Sequence, residues 1–334
     1  MRGMTTLSRR DFIRLGVLAG TLSLYGCSFG DSRATIRLPK GIIPKEFLKT
    51  LPSNWRYQLL DITPGTDFFK ARFQEDTDLI AIGDGWLRNC PYDDFQSIAS
   101  DDFLARYNSQ AKIFLNNFSS EIALRLLPVA VSPWVMIFRR GENWASEAKG
   151  SWDVLLDSDL KGHIVFPNSP RLIMSLADRM SPSDSLQRLR KQAAAFDDVN
   201  GMNWLLSGKA KVAILPLQVC LKILVRDSRL RIAFPIEGAP LNWTLLLKPR
   251  LSLKPTPLEW IKQSWTLPLL VQLLSNGWIP PLPYSELEQA IDLLPLKYQV
   301  IYKSRRSFEN SWSFSPLTLM EENLLEERWF NSFP

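Results

Sequence analysis

The chain has 334 residues, 46% of them hydrophobic and 22% charged, with a formal net charge of +6. The length suits two domains, and 12 Trp with 18 Phe supply a core that needs no disulfide staples. A single histidine, His163, excludes His-rich metal sites and most acid–base constellations at once, and no cofactor is expected.

The first 26 residues read as a leader rather than as part of the fold. Arg9 and Arg10 form a twin-arginine pair followed by Phe12 and Ile13, and an apolar stretch of about 11 residues runs from Leu15 to Tyr25, too short to span a bilayer. It closes on Leu24-Tyr25-Gly26-Cys27, which resembles a lipobox with cleavage before Cys27 and lipid on its sulfur. A plain cleaved signal with an incidental cysteine is the alternative, and either one places the protein outside the cytoplasm, in the periplasm. Removing the leader takes away Arg2, Arg9, Arg10, Arg14 and Asp11, so the net charge falls to +3. That is too little to argue for nucleic acid. The two cysteines that remain, Cys90 and Cys220, are expected to be buried thiols rather than a disulfide.

From Ala34 onward short strands alternate with helices. "ATIRL" reads as a strand, "PKEFLKTL" as a short helix opened by Pro44, "WRYQLLDI" as a strand, and "PGTDFFKARFQ" as a helix. "TDLIAIGDGWL" is a buried strand that runs into a glycine loop, and "SDDFLARYN" a helix with an acidic first turn. After Arg140 the alternation resumes. "SWDVLLD" is a helix capped by Ser151, "GHIVFP" a strand, and "SPRLIMSLADRM" a helix with Ser169 as N-cap and Pro170 at its first position. Leu186, Leu189, Ala193 and Phe196 keep helical spacing. "KVAILP", "LQVCLKILVRD" and "LRIAFP" follow as strand, helix and strand. The tract Pro249 to Pro283 carries one clear helix, "PLEWIKQSW", and the chain ends on an amphipathic helix, Leu317 to Phe330. The pattern predicts an α/β fold with mostly parallel strands, in two lobes joined at "PVAVSPWVMIF" and "EGAPLNWTLLL".

Few motifs offer catalysis. There is no Walker A loop and no G-x-S-x-G elbow, and a Ser-His-Asp triad would have to use His163, which starts a short apolar run. Adjacent carboxylates such as Asp93-Asp94 and Asp101-Asp102 stand where acids usually cap helices. No enzyme is expected.

Four stretches carry a resemblance: "TDLIAIGDGWL", "SWDVLLDSDLKGHIVFPNSPRLIMSLA", "WLLSGKAKVAILP" and "RIAFPIEGAPLNWTLLLKP". Together they resemble the substrate-binding proteins of bacterial ABC importers, in the spermidine/putrescine branch of the type II periplasmic binding proteins. The resemblance implies two lobes with a ligand cleft between them, hinge closure, and docking on a membrane permease. Its boundaries are the leader over 1–26, the first part of lobe 1 over 34–133, lobe 2 over 134–242, and over 243–334 a return to lobe 1 plus C-terminal helices. It further implies a monomer that binds a small solute and no nucleic acid, held at the membrane through lipid on Cys27.

The expected ligand residues lie where strands end and lobes join. Asp84 and Trp86 follow the strand "DLIAI", and Trp86 matches an aromatic that stacks on ligand in the resembling family. Trp134 lies in the first joint. Ser169 and Arg171 open a helix whose free N–H groups favour an anion. Trp243 and Thr244 lie in the second joint, where Trp243 is either core or pocket, and Lys40 follows the first strand. The pattern departs from polyamine binding. Carboxylates that would meet ammonium groups are replaced by Ser169, Leu172 and Thr244, which leaves Asp84 as the nearby acid. A neutral, zwitterionic or anionic solute fits better than a polyamine. A lipoprotein that kept the fold and reads a protein partner is the alternative.

Overall fold

The computed structural model describes residues 33–61, 69, 76–139, 144–197, 199–224 and 226–333. The leader, Cys27 and all but Phe69 of the helix expected over Pro64–Gln74 lie outside the described residues. Strand β1 (Ala34–Pro39) is buried along almost its whole length, as a strand covered on both faces must be. It lies parallel to β2 (Trp55–Leu60) on one side and β3 (Leu79–Gly83) on the other. Helix α1 (Lys45–Leu48) links β1 to β2 and stacks Phe47 on Trp260, with ring centroids 4.0 Å apart. The two-residue β4 (Phe95–Gln96) is followed by helices α2 (Asp101–Arg106), α3 (Ser109–Asn116) and α4 (Ser120–Arg125).

Strand β5 (Leu127–Arg139) then leaves this unit and enters the next. There follow α5 (Trp144–Glu147), β6 (Ile164–Phe166), α6 (Pro170–Ala177), α7 (Ser185–Gln192), β7 (Ala193–Phe196) and α8 (Gly201–Leu206). After them come β8 (Val212–Pro216), α9 (Leu217–Leu224) and β9 (Leu230–Ala233). Strand β10 (Leu241–Pro249) returns to the first sheet. The chain closes with α10 (Leu258–Gln263), α11 (Leu269–Ser275), α12 (Tyr284–Asp292), α13 (Leu296–Tyr302), α14 (Arg305–Glu309) and α15 (Leu319–Asn331).

The strand order is β2-β1-β3-β10-β5-β8-β6-β7, with β4 on β10 and β9 on β5. β5 is the seam. Its residues Leu127–Pro133 pair antiparallel with β10, whereas Trp134–Phe138 pair with β8 and Met136–Arg139 with β9. Parallel pairing within each half (β1 with β2 and β3, β6 with β7 and β8) and antiparallel crossing strands between them make this a mixed α/β fold. A second crossing runs from β9 to β10. It is packed by the C-terminal chain: Leu241 N donates to Trp312 O at 2.8 Å and Trp312 N to Ala239 O at 3.1 Å.

Three local expectations are corrected. "SWDVLLD" winds as a 3-10 turn, Trp152–Leu156, because Ser151 caps only as far as the Asp153 amide and the buried Trp152 indole is tied to Gly238 O at 2.8 Å. Ala193 and Phe196 do not continue α7. They form β7, where pairing to β6 overrides helical spacing and Phe196 stacks on Phe166. The proline-rich tract holds α11 as well as α10. Cys90 and Cys220 are buried and free, and burial pushes the Cys90 thiol up to about 12, so it stays protonated and inert.

Gly238 holds the second crossing. Its φ of +87° is open only to glycine, and a Cβ there would stand 2.3 Å from the backbone of Asn310. Gly238→Ala is therefore expected to cost about 2 kcal/mol or more of stability, read as a lowered urea midpoint with unchanged m-value.

Candidate functional site

Several of the predicted residues lie where β3 ends and β10 begins. β3 is buried from Leu79 to Ile82, and the chain leaves the sheet at Gly83, so Asp84 opens a 3-10 turn, Asp84–Asn89, at the carboxyl end of the strand. Thr244 faces Gly83 across the ladder, so Trp243 comes next to Asp84. Burial pushes the Asp84 carboxyl up to about 7. Amide hydrogen bonds at Trp243, Asp84 and Gly85, and the charge of Arg171, pull the other way without overcoming it. Although the residue keeps some surface, protein encloses the carboxyl closely enough for desolvation to dominate.

Arg171 approaches from the second half of the molecule. Ser169 Oγ accepts from Leu172 N at 3.4 Å and Pro170 takes the first helical position, so the expected N-cap fixes α6 and projects Arg171 from its first turn. Its guanidinium stands 4.8 Å over the Phe314 ring and donates to Ser315 O at 2.6 Å. Burial lowers its pKa, whereas Asp84, Glu321 and Glu322 favour its charge. The charges of Asp84 and Arg171 thus favour each other's ionised forms.

The other candidates divide. Trp86, in the same turn as Asp84, is half-buried and packs on the core. Trp134 is half-buried at the partner change of β5, its amide donating to Pro240 O at 2.9 Å. Trp243 and Thr244 are 0% and 2% exposed, so of the two readings left open for Trp243 the structure shows core packing. Trp243 stacks on Phe114 of α3 at 4.9 Å, and its indole donates to Ser313 Oγ at 2.8 Å. Lys40 is exposed and paired with Asp61, just past the end of β1, which lies parallel to β3. His163 is exposed, its Nδ1 2.7 Å from Lys161 O.

Sequence reasoning missed the C-terminal chain. Phe314 and Ser315 engage Arg171, Trp312 lies under the Arg179 guanidinium at 4.5 Å, and Glu322 accepts from Arg88 at 2.7 Å. A findable local signal was the capping box Thr318-x-x-Glu321 that starts α15. Among the described residues no group of three or more His, Cys, Asp or Glu could hold a metal, and no helix is long and apolar enough to cross a membrane.

No family model matches the sequence. No curated protein matches it either. Solved structures do match in fold. A spermidine/putrescine ABC transporter substrate-binding protein from Streptococcus pneumoniae aligns over 90% of this chain and 98% of its own, with 13% identity and a TM-score of 0.68. An ABC transporter substrate-binding protein from Bradyrhizobium japonicum covers 91% and 100%, with 11% identity and a TM-score of 0.64. A ferric binding protein from Campylobacter jejuni covers 83% and 98%, with 12% identity and a TM-score of 0.57. These likenesses establish the type II periplasmic-binding-protein fold.

Two predictions follow from the geometry. The folded chain holds the Asp84 proton to about pH 7, against 3.8 as the ordinary value, so this group's contribution to stability is whole below 3.8 and is lost as pH rises through about 7. Asp84→Asn should flatten the fall in urea-unfolding stability between these values, and the variant should be the more stable protein above them. Trp243→Ala removes a buried ring and should cost about 3–5 kcal/mol, measured by the same unfolding curves.

Proposed function

We propose that this chain is the extracytoplasmic solute-binding protein of an ABC importer, which takes a small solute between its two lobes and delivers it to a membrane permease by hinge closure. The observation that carries this reading is the placement of Asp84 and Arg171: one acid and one base, from opposite sides of a shared seam strand, at the carboxyl ends of strands in a fold matched along nearly the whole chain by such proteins. The twin-arginine leader supports export to the periplasm, and Cys27 supports lipid anchoring beside the permease. The exposed turn that holds His163 gives a catalytic triad no support.

For the cargo, the polyamine-type label drawn from resemblance meets a site poor in acids. Ser169 is used by its own helix, Leu172 is buried, and Thr244 is a buried hydroxyl, which leaves Asp84 as the acid facing Arg171. An ammonium group needs paired charge when desolvated. A solute with a carboxylate for Arg171, alone or together with an ammonium for Asp84, suits the pair better. A protein partner is the second reading, favoured by Met320, Phe330 and Phe333, which α15 and its end leave exposed.

A thermal-shift panel of spermidine, putrescine, amino acids and organic acids tests the proposal. Ligand at about 100 times its Kd stabilises the folded chain by about 2.7 kcal/mol. An amino acid or organic acid should raise Tm, with the shift lost in Arg171→Ala. A shift produced by spermidine alone would restore the polyamine assignment, and copurification of a soluble protein with no shift from any solute would favour the partner reading.

A further inference from the structure

The turn after β10 reads Arg250-Leu251-Ser252-Leu253-Lys254. Leu251 is 84% exposed and Leu253 95%, whereas Ser252 between them is 6% exposed. Hydrogen bonds hold this alternation. Ser252 Oγ donates to Asp78 Oδ1 at 2.8 Å, and Gln96 Nε2 donates to the carbonyls of Pro249 and Ser252, both at 2.8 Å. Arg250 N donates to Asp94 O at 2.8 Å. The backbone is pinned while two leucines stand in water on its outer side. Apolar residues exposed singly need no explanation. A pair aimed outward from a pinned turn keeps apolar surface in water that a covering surface would remove.

The place of the turn says what covers it. Asp78 ties the turn to the start of β1: its Oδ2 accepts from Thr35 N at 2.9 Å, and its own amide donates to Thr35 O at 2.9 Å. Leu251 and Leu253 thus sit at the end of the sheet where the chain enters the fold. Seven residues lead from Cys27 to Ala34, a reach of at most about 25 Å. Charge points the same way. Arg250 and Lys254 flank the leucines and are exposed, and Lys248 is half-buried beside them. The acids that bond to the turn are Asp94, through its carbonyl, and Asp78, whose carboxylate is occupied by Thr35 and Ser252. Cations around an apolar tip suit an anionic bilayer, whose headgroups attract them while the acyl boundary takes the leucines. The exposed apolar residues of α15 have the opposite surroundings, with Glu321, Glu322, Glu326 and Glu327 on the same helix.

We propose that Leu251 and Leu253 are an interfacial anchor, which dips into an anionic bilayer next to the point where Cys27 tethers the chain. The proposal goes beyond the solute-binding reading and shares with it the lipid at Cys27. A tether sets a distance, and a rigid apolar tip beside it sets an orientation. Thr244, paired with Gly83 at the Asp84 end of β3, lies five residues back along β10 from Pro249, about 17 Å. The anchor therefore turns the Asp84 end of this strand away from lipid, toward the aqueous phase that supplies solute.

The test uses the chain from Ser28 onward, so that neither lipid nor the apolar leader contributes; Ala34–Pro334 is a compact unit by itself. Vesicles are equal parts phosphatidylethanolamine and phosphatidylglycerol. A bimane label placed by Leu253→Cys should shift to shorter wavelength on these vesicles, and the same label placed by Leu319→Cys on α15 should not. Cys90 and Cys220 are buried, which leaves the label to the new position. Leu251→Ser with Leu253→Ser should weaken vesicle binding at least about tenfold, with an unchanged urea midpoint because both side chains already stand in water. The parent should prefer these vesicles to phosphatidylcholine, less so as salt is added. A Leu253 label that stays in water, equal shifts at Leu253 and Leu319, equal binding by parent and double-serine chain, or no preference for the anionic vesicles overturns the proposal. So does a label shielded only when membrane proteins are present, which would give the turn to a protein partner. No solute enters these measurements, so a chain that anchors in this way and binds no solute sinks the solute-binding reading alone.

Discussion

The structure depends on the hydrogen-bonding obligations of one strand. Each buried backbone N–H and C=O must find a partner, and β5 meets that demand with two different sets of neighbours, β10 along Leu127–Pro133 and β8 with β9 beyond Trp134. At about 3.3 Å per residue its 13 residues extend about 43 Å, long enough to serve both sheets without a break. The exchange falls at Ser132-Pro133-Trp134. Proline has no N–H to give to a ladder, so the backbone pairing is weakest where the partners change. Around it the missing bonds come from elsewhere: Ser132 Oγ accepts from Gln218 N at 3.0 Å, and Trp134 N reaches Pro240 O. The seam is thus continuous in chain and thin in pairing where its partners change.

Where sequence reading succeeded, burial was the reason. "ATIRL", "DLIAI" and "VAILP" are covered on both faces, and such strands show as unbroken apolar runs. Helix α6 was equally legible because Ser169 and Pro170 state its start in chemistry that acts within three residues. The reading of Ala193 and Phe196 failed because the bond that decides their conformation is made to β6, which is distant in sequence. Short apolar runs carry no period to separate α11 from loop, and α12 and α13 went unread.

The site divides along the same line. The positions of Asp84 and Arg171 were legible because each sits at the end of an element, where the chain turns outward. Trp243 and Thr244 could not be resolved locally. Alternation sends them to opposite faces of β10, and only the tertiary structure shows that both faces are covered, by Phe114 on the Trp243 side. Arg88, Phe314 and Glu322 were invisible because their roles rest on contacts across more than a hundred residues.

The presence of the C-terminal chain at this place has an electrostatic reason. Arg171 is drawn partly out of water, and an arginine so placed without a counter-charge is expensive, since each desolvated ion costs several kcal/mol even after relaxation. Asp84 alone compensates poorly, because burial has already weakened its own ionisation near neutral pH. Glu321 and Glu322 add negative charge, the Ser315 carbonyl adds a hydrogen-bond acceptor, and the Phe314 ring adds a cation–π face. None of these is a strong clamp by itself. The Arg88–Glu322 pair is partly in solvent, where such pairs contribute about 0–1 kcal/mol. Their sum keeps a charged, partly desolvated residue tolerable at this place.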